Sequence, residues 1–192
     1  MYGVTEKMFD ELVDEDTKAE FLDGVMIVHS PASPRHNKIA GFLRNLMSGF
    51  AEEKEAGDVF GPDDLVHLAT CRRFAADAFF IKQDRLPAAL PEVEFEVVPD
   101  WMIEVLSSSN RDYDLYEKRP AYQEARVREI WLVDPEEEKI LVDRLRGDRY
   151  VSKVFDQGKI TSSALKGFWV ETAWLWNWPL PKLLPCLRKI LK

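Results

Sequence analysis

Trp101-Met102-Ile103-Glu104-Val105-Leu106, followed by Ser107-Ser108-Ser109-Asn110, is the stretch on which the fold turns. Six residues, nearly all apolar, predict a central strand buried on both faces. The serines and asparagine after it carry loop and helix-capping chemistry. A helix should therefore follow within residues 112–125. Pro120 sits inside that span, so the helix starts close to it or kinks there.

Outward from this strand, residues 74–81 read as a second apolar and aromatic strand, and residues 65–68 as a short one. Residues 93–98 alternate but are broken by acids, so strand and loop both remain open. Ser33-Pro34 opens a long helix with Ile39, Phe42, Leu43, Leu46, Met47 and Phe50 at three-four spacing, and Gly57 reads as its stop. Asp23-Gly24 between two apolar runs signals a hairpin. Thr5 caps a short helix with Met8, Phe9 and Leu12 on one side. Downstream, residues 129–133 form a strand closed by Asp134-Pro135. Residues 139–145 and 149–155 flank Arg146-Gly147-Asp148, a second hairpin. The order helix, hairpin, helix, strands, helix, strands predicts an α/β (α+β) layered fold rather than a regular doubly wound sheet.

A chain of 192 residues without a linker reads as one domain, residues 1–192. With 46% apolar and 31% charged residues it is not a disordered chain. The balance of 26 basic against 34 acidic residues, net −8, argues against a general nucleic-acid coat protein but leaves room for a local basic groove. Cys71 and Cys186 are too few for a disulfide framework or a four-cysteine zinc site, and suggest a reducing compartment. Residues 1–12 lack the apolar run of a signal peptide. No apolar stretch reaches the roughly 18 residues of a membrane span. A cytoplasmic protein is the expectation. Residues 168–192 are rich in Trp and Pro, with Trp169, Trp174, Trp176 and Trp178 close together. They are expected to pack on the core or on a dimer partner. A basic amphipathic membrane-surface helix around Lys182, Arg188, Lys189 and Lys192 is the alternative, shortened by Pro179, Pro181 and Pro185.

Two carboxylates stand out because apolar residues surround them. Asp77 lies in Phe74-Ala75-Ala76-Asp77-Ala78-Phe79, where strand alternation gives it the face of Ala75 and Phe79. Glu104 shares a face with Met102 and Leu106. A buried unpaired carboxylate is costly. Either each pairs with an Arg or Lys near the sheet edge, or a divalent cation lies between them. Lys118, one polar loop beyond the Glu104 strand, is either a solvated lysine or a cation folded back over that site. His29, His36 and His67 lack paired metal spacing, and His36 reads as a cap or groove residue. Cys71 lies near Arg72 and Arg73 but reads as an idle thiol. Arg72 and Arg73, and Arg119, Arg126 and Arg128, read either as phosphate contacts or, more commonly, as solvated faces. There is no phosphate-binding glycine loop and no nucleophile elbow.

Taken together, Glu20-Phe21-Leu22-Asp23-Gly24, Ser33-Pro34-Arg35-His36, Ala76-Asp77, Ile103-Glu104-Val105-Leu106-Ser107, Asp114…Glu117-Lys118-Arg119…Tyr122, Glu129-Ile130-Trp131-Leu132-Val133-Asp134-Pro135, Gly167-Phe168 and Leu180-Pro181 resemble the Uma2 (DUF820) family of the PD-(D/E)XK superfamily. The resemblance spans most of the chain. It implies a restriction-endonuclease-like core, a central mixed sheet flanked by helices, and Mg²⁺- or Mn²⁺-dependent phosphodiester hydrolysis on DNA or RNA. Asp77 and Glu104 match the metal-binding acids, with the backbone carbonyl of Val105 as a further ligand. The superfamily lysine position is Leu106 here, and the lysine is displaced to Lys118 on the helix. Glu20 matches an upstream glutamate, a further ligand or an orienting group. Two positions depart from the pattern: Ala76 replaces a proline, and Ser107-Ser108-Ser109 replaces Ser-Pro-Ser. A homodimer is expected. Because both acids sit in apolar strands, the Asp77 and Glu104 carboxylates are expected on adjacent strands about 4–6 Å apart, a shared-cation distance. The rival readings are a catalytically idle interaction protein and a metal-dependent enzyme on a substrate other than nucleic acid.

Overall fold

The structure, a computed structural model, describes residues 1–13, 19–28 and 32–192. The Thr5 side chain accepts from Met8 N and caps α1 (Glu6–Leu12). Only Phe9 of that helix is buried; Met8 and Leu12 are exposed. The Asp23-Gly24 turn, with both residues at positive φ, joins β1 (Ala19–Leu22) to β2 (Val25–Val28). Ser33 caps α2 (Pro34–Glu53), whose apolar stripe from Ile39 to Phe50 is buried as the three-four spacing requires.

Gly57 does not end that helix; it opens β3 (Gly57–Phe60), a strand with too few apolar residues to be read from sequence. At φ 141° it lets the chain approach Ile81 so closely that a Cβ would lie 2.1 Å from the Ile81 carbonyl oxygen. There follow β4 (Leu65–Ala69), β5 (Arg72–Phe74), β6 (Ala78–Lys82), β7 (Glu94–Phe95) and β8 (Trp101–Val105). The single strand expected over residues 74–81 is therefore two strands in different sheets. At the break, Glu20 accepts from Ala75 N and Asp77 accepts from Val105 N. Two side chains thus replace ladder hydrogen bonds, and the alternation assigned to Asp77 does not hold. In residues 93–98 only β7 is a strand, paired in parallel with β4.

α3 (Arg111–Tyr113) runs through a π-helical turn, Asp114–Lys118, into α4 (Arg119–Glu124). Pro120 lies in the first turn of α4, directly after the wide turn in which Arg119 N donates to the Asp114 carbonyl. A proline ring needs room and offers no N–H, and the π turn is where helices absorb such a demand. The helix passes through Pro120 on those terms, having started well before it. β9 (Glu129–Asp134), β10 (Lys139–Arg146) and β11 (Arg149–Phe155) follow, then β12 (Lys159–Thr161), β13 (Trp169–Glu171), α5 (Ala173–Trp176) and α6 (Leu183–Ile190).

The larger sheet has the order β11-β10-β9-β8-β6-β3, mixed, with β8 parallel to β9 and antiparallel to β6. The smaller sheet has the order β2-β1-β5-β4-β7. On one face of the larger sheet, Trp101, Ile103, Trp131 and Val133 pack with Leu43, Met47 and Phe50 of α2. The C-terminal residues join this cluster through Phe168, Val170, Leu175, Cys186 and Ile190, and Leu187 seats against Gly49. On the other face, Met102, Ile130 and Leu132 pack with Tyr122 and Ala121 of α4. This double covering explains why β8 is apolar on both sides.

Candidate active site

The register Ala78↔Ile103 between β6 and β8 carries on to bring Asp77, just before β6, opposite Glu104 near the end of β8. Asp77 Oδ2 accepts from Val105 N at 2.8 Å and lies 3.0 Å from His36 Nε2. The Ser33 cap holds His36 in the first turn of α2, where His36 N donates to Ser33 Oγ. Two strand ends and a helix N-terminus thus converge on one carboxylate.

Lys118 reaches the same place from the π turn. Its Nζ is 2.7 Å from Glu104 Oε1, 2.8 Å from Glu20 Oε1 and 3.8 Å from Asp114 Oδ1. Tyr122 OH donates to Glu104 Oε1 at 2.5 Å. Asp114, Lys118 and Tyr122 are four apart, so one helical face delivers all three, and each is buried. Pro120, which follows Lys118 by two residues, does not swing the lysine outward.

Three carboxylates, Glu20, Glu104 and Asp114, thus act on one buried ammonium, and Asp77 adds its charge beside Glu104. Burial pushes the Glu104 carboxyl up to about 8 against the pull of Lys118, and the three other acids add to the rise. Burial works against the Lys118 ammonium, but Glu104 and Glu20 hold it well above the usual lysine value. For His36 burial lowers basicity, and the bond to Asp77 and its charge, with Asn37 and Glu104, together more than restore it.

Asp77, Glu104, Val105, Asp114, Lys118 and His36 line a cleft of about 460 Å³, with Arg44 on its wall. Glu20 is fully buried, bound to Lys118 and to the backbone before Asp77. Among the described residues, no three His, Cys, Asp or Glu side chains are grouped to hold a metal ion. Two carboxylates facing one cleft still match a hard cation that keeps several waters and takes one or two protein carboxylates. The surplus of negative charge favours that fit.

The other sequence candidates lie elsewhere. His67 pairs with Glu6 and Glu94, and His29 lies outside the described residues. Cys71 is half-buried and Cys186 buried. Arg72 binds Asp23 and Glu124, and Arg119 binds Asp143, so these cations serve structure. Sequence reasoning assigned no role to Tyr122 and did not pair His36 with Asp77. The signal for His36 was its place just after a helix cap; for Tyr122 it was the four-residue step from Lys118.

A family model, Uma2, described as "Putative restriction endonuclease", matches residues 6–173. A solved structure described as a putative nuclease belonging to DUF820, from Anabaena variabilis ATCC 29413, superposes with a TM-score of 0.78 at 19% identity. The match covers 91% of this chain and 98% of that one, so the two share a fold. No curated protein matches.

Proposed function

The chain belongs to the Uma2 family, and from that premise we propose that it is a metal-dependent endonuclease that hydrolyses phosphodiester bonds of DNA or RNA. The carrying observation is that Asp77, Glu104, Val105 and Lys118 open into one cleft, although they come from three separate elements. Asp77, Glu104 and the Val105 carbonyl would hold Mg²⁺ or Mn²⁺. Such an ion supplies Lewis-acid polarisation of a phosphoryl oxygen and a more acidic water.

The chain's own groups do the rest. Glu104 and Glu20 keep Lys118 protonated, so it serves as a catalytic cation for charge developing on the phosphoryl group and not as a base. Glu20 is a positioning residue: it orients the ammonium and ties down Ala75, two residues before Asp77. Tyr122 fixes the Glu104 carboxylate, and His36 fixes that of Asp77. This reading takes residues 1–192 as one domain, in a cytoplasmic homodimer. Exposed Trp178 and Leu184 offer apolar surface for the dimer contact, which sedimentation would test.

The decisive experiment compares wild type with Asp77→Asn and Glu104→Gln on DNA and RNA with Mg²⁺ or Mn²⁺. Cleavage should fall by on the order of 100-fold or more in both variants, with circular dichroism unchanged. Wild-type-like cleavage by a variant would remove that residue from the site. A wild type that cuts neither polymer would leave the idle interaction protein as the better reading.

A further inference from the structure

The edge formed by the opposite ends of strands β6, β8 and β9 carries a charged cleft of the reverse sign. β6 ends at Lys82, β8 begins after Asp100, β9 begins after Arg128, and Arg146-Gly147 lies in the turn from β10 to β11. The registers Phe80↔Trp101, Trp101↔Glu129 and Arg144↔Glu129 bring these ends together. Asp100 and Glu104 are four residues apart, roughly 13 Å along a strand.

Asp100 is completely buried and accepts from Lys82 N at 3.1 Å. Arg85 lies 2.9 Å from its carboxylate, Arg128 3.3 Å and Lys82 3.8 Å. One charge is thus faced by three. Arg126 and Arg146 add two more cations to the lining of the cleft. Arg126 has its own partner, Asp148, but at 91% exposure that acid neutralises little. Glu129, the other buried acid at this edge, is held by Arg144, Trp131 and Ser162. A chain of net charge −8 has therefore gathered five cations around about 550 Å³, a volume within the roughly 300–1,000 Å³ of small-molecule pockets. Asp100 requires one counter-charge; three leave a surplus of positive charge facing the cleft.

The geometry points to a second binding site at this edge, for a small, multiply charged phosphate. Guanidinium forks suit phosphate oxygens, and four of the five cations are arginines. The site lies across the sheet from Asp77 and Glu104, so a polymer strand lying in that cleft is not needed to fill it.

The test is calorimetric titration of the full chain with inorganic tripolyphosphate, without metal, against an Arg126→Gln/Arg146→Gln variant. These two arginines do not touch Asp100, so the variant should keep its melting temperature. The wild type should bind, and the variant should lose about tenfold or more in affinity. Tighter binding of a nucleoside triphosphate at the same cleft would assign the phosphate to a nucleotide, and equal binding to an inorganic source; both support the site. No binding by the wild type, or equal binding by the variant, overturns it. So does weakened binding of a short DNA duplex by the variant when tripolyphosphate does not bind at all.

Discussion

Strand β8 is bracketed by two buried acids, Glu104 near its end and Asp100 just before its start, and their surroundings are opposite. Around Glu104, three carboxylates including its own face one buried ammonium, with Asp77 close by. Around Asp100, three cations face one carboxylate. The lysine at the first end is 3% exposed, whereas the cations at the second are 32–61% exposed. A buried carboxylate thus does not by itself say what a site binds. The local surplus of charge, and whether water can reach it, does.

The largest effect should come from the closed end. Lys118→Met removes the ammonium shared by Glu20, Glu104 and Asp114 and should cost about 3–5 kcal/mol in urea unfolding at unchanged slope. If the variant folds, turnover should fall much more than metal affinity, since a protonated lysine is no ligand. A loss under 1 kcal/mol would mean that water reaches this end too, and the contrast would fail.

Tyr122→Phe takes one hydrogen bond from Glu104 and should cost about 1.5–3 kcal/mol, with a loss of cleavage that added metal does not restore. Asp100→Asn keeps an acceptor for Lys82 N and leaves cations that water can reach. It should cost only about 1 kcal/mol by thermal melting and should not weaken tripolyphosphate binding. A cost equal to that of Lys118→Met would make the two ends alike.

The smallest effect concerns a balanced acid. Burial raises the Asp143 carboxyl, but hydrogen bonds from Arg119, Ser152 and Gln123 together bring it below the ordinary range. Its folded value is below its unfolded one, about 3.9. Its contribution is therefore complete above about pH 4 and is lost as pH falls through the folded value. Asp143→Asn should flatten the acid limb of stability against pH by on the order of 1 kcal/mol while leaving the neutral region nearly parallel to wild type.

Local patterns in the chain were enough for much of the fold. The buried run of β8 and the stripe of α2 carry their burial in the spacing of their own apolar residues, and the Asp23-Gly24 and Arg146-Gly147-Asp148 turns rest on contacts between near neighbours. Asp77, Glu104 and Lys118 were visible as candidates through their apolar neighbours, their order and the family resemblance. β3 and the break at Ala75-Ala76-Asp77 were not. β3 rests on Gly57 approaching Ile81, and the break on hydrogen bonds from residues 55 and 28 positions away.

By itself, then, the sequence determined the layered fold, the family and the acids worth watching, because burial leaves a mark on the residues around it. Only the tertiary structure decided that Glu20 holds Lys118 from behind, that His36 and Tyr122 steady the two acids, and that Asp100 gathers a surplus of arginines. Those arrangements depend on the sum of charges brought together by strand register, and that sum appears only when the sheet is assembled.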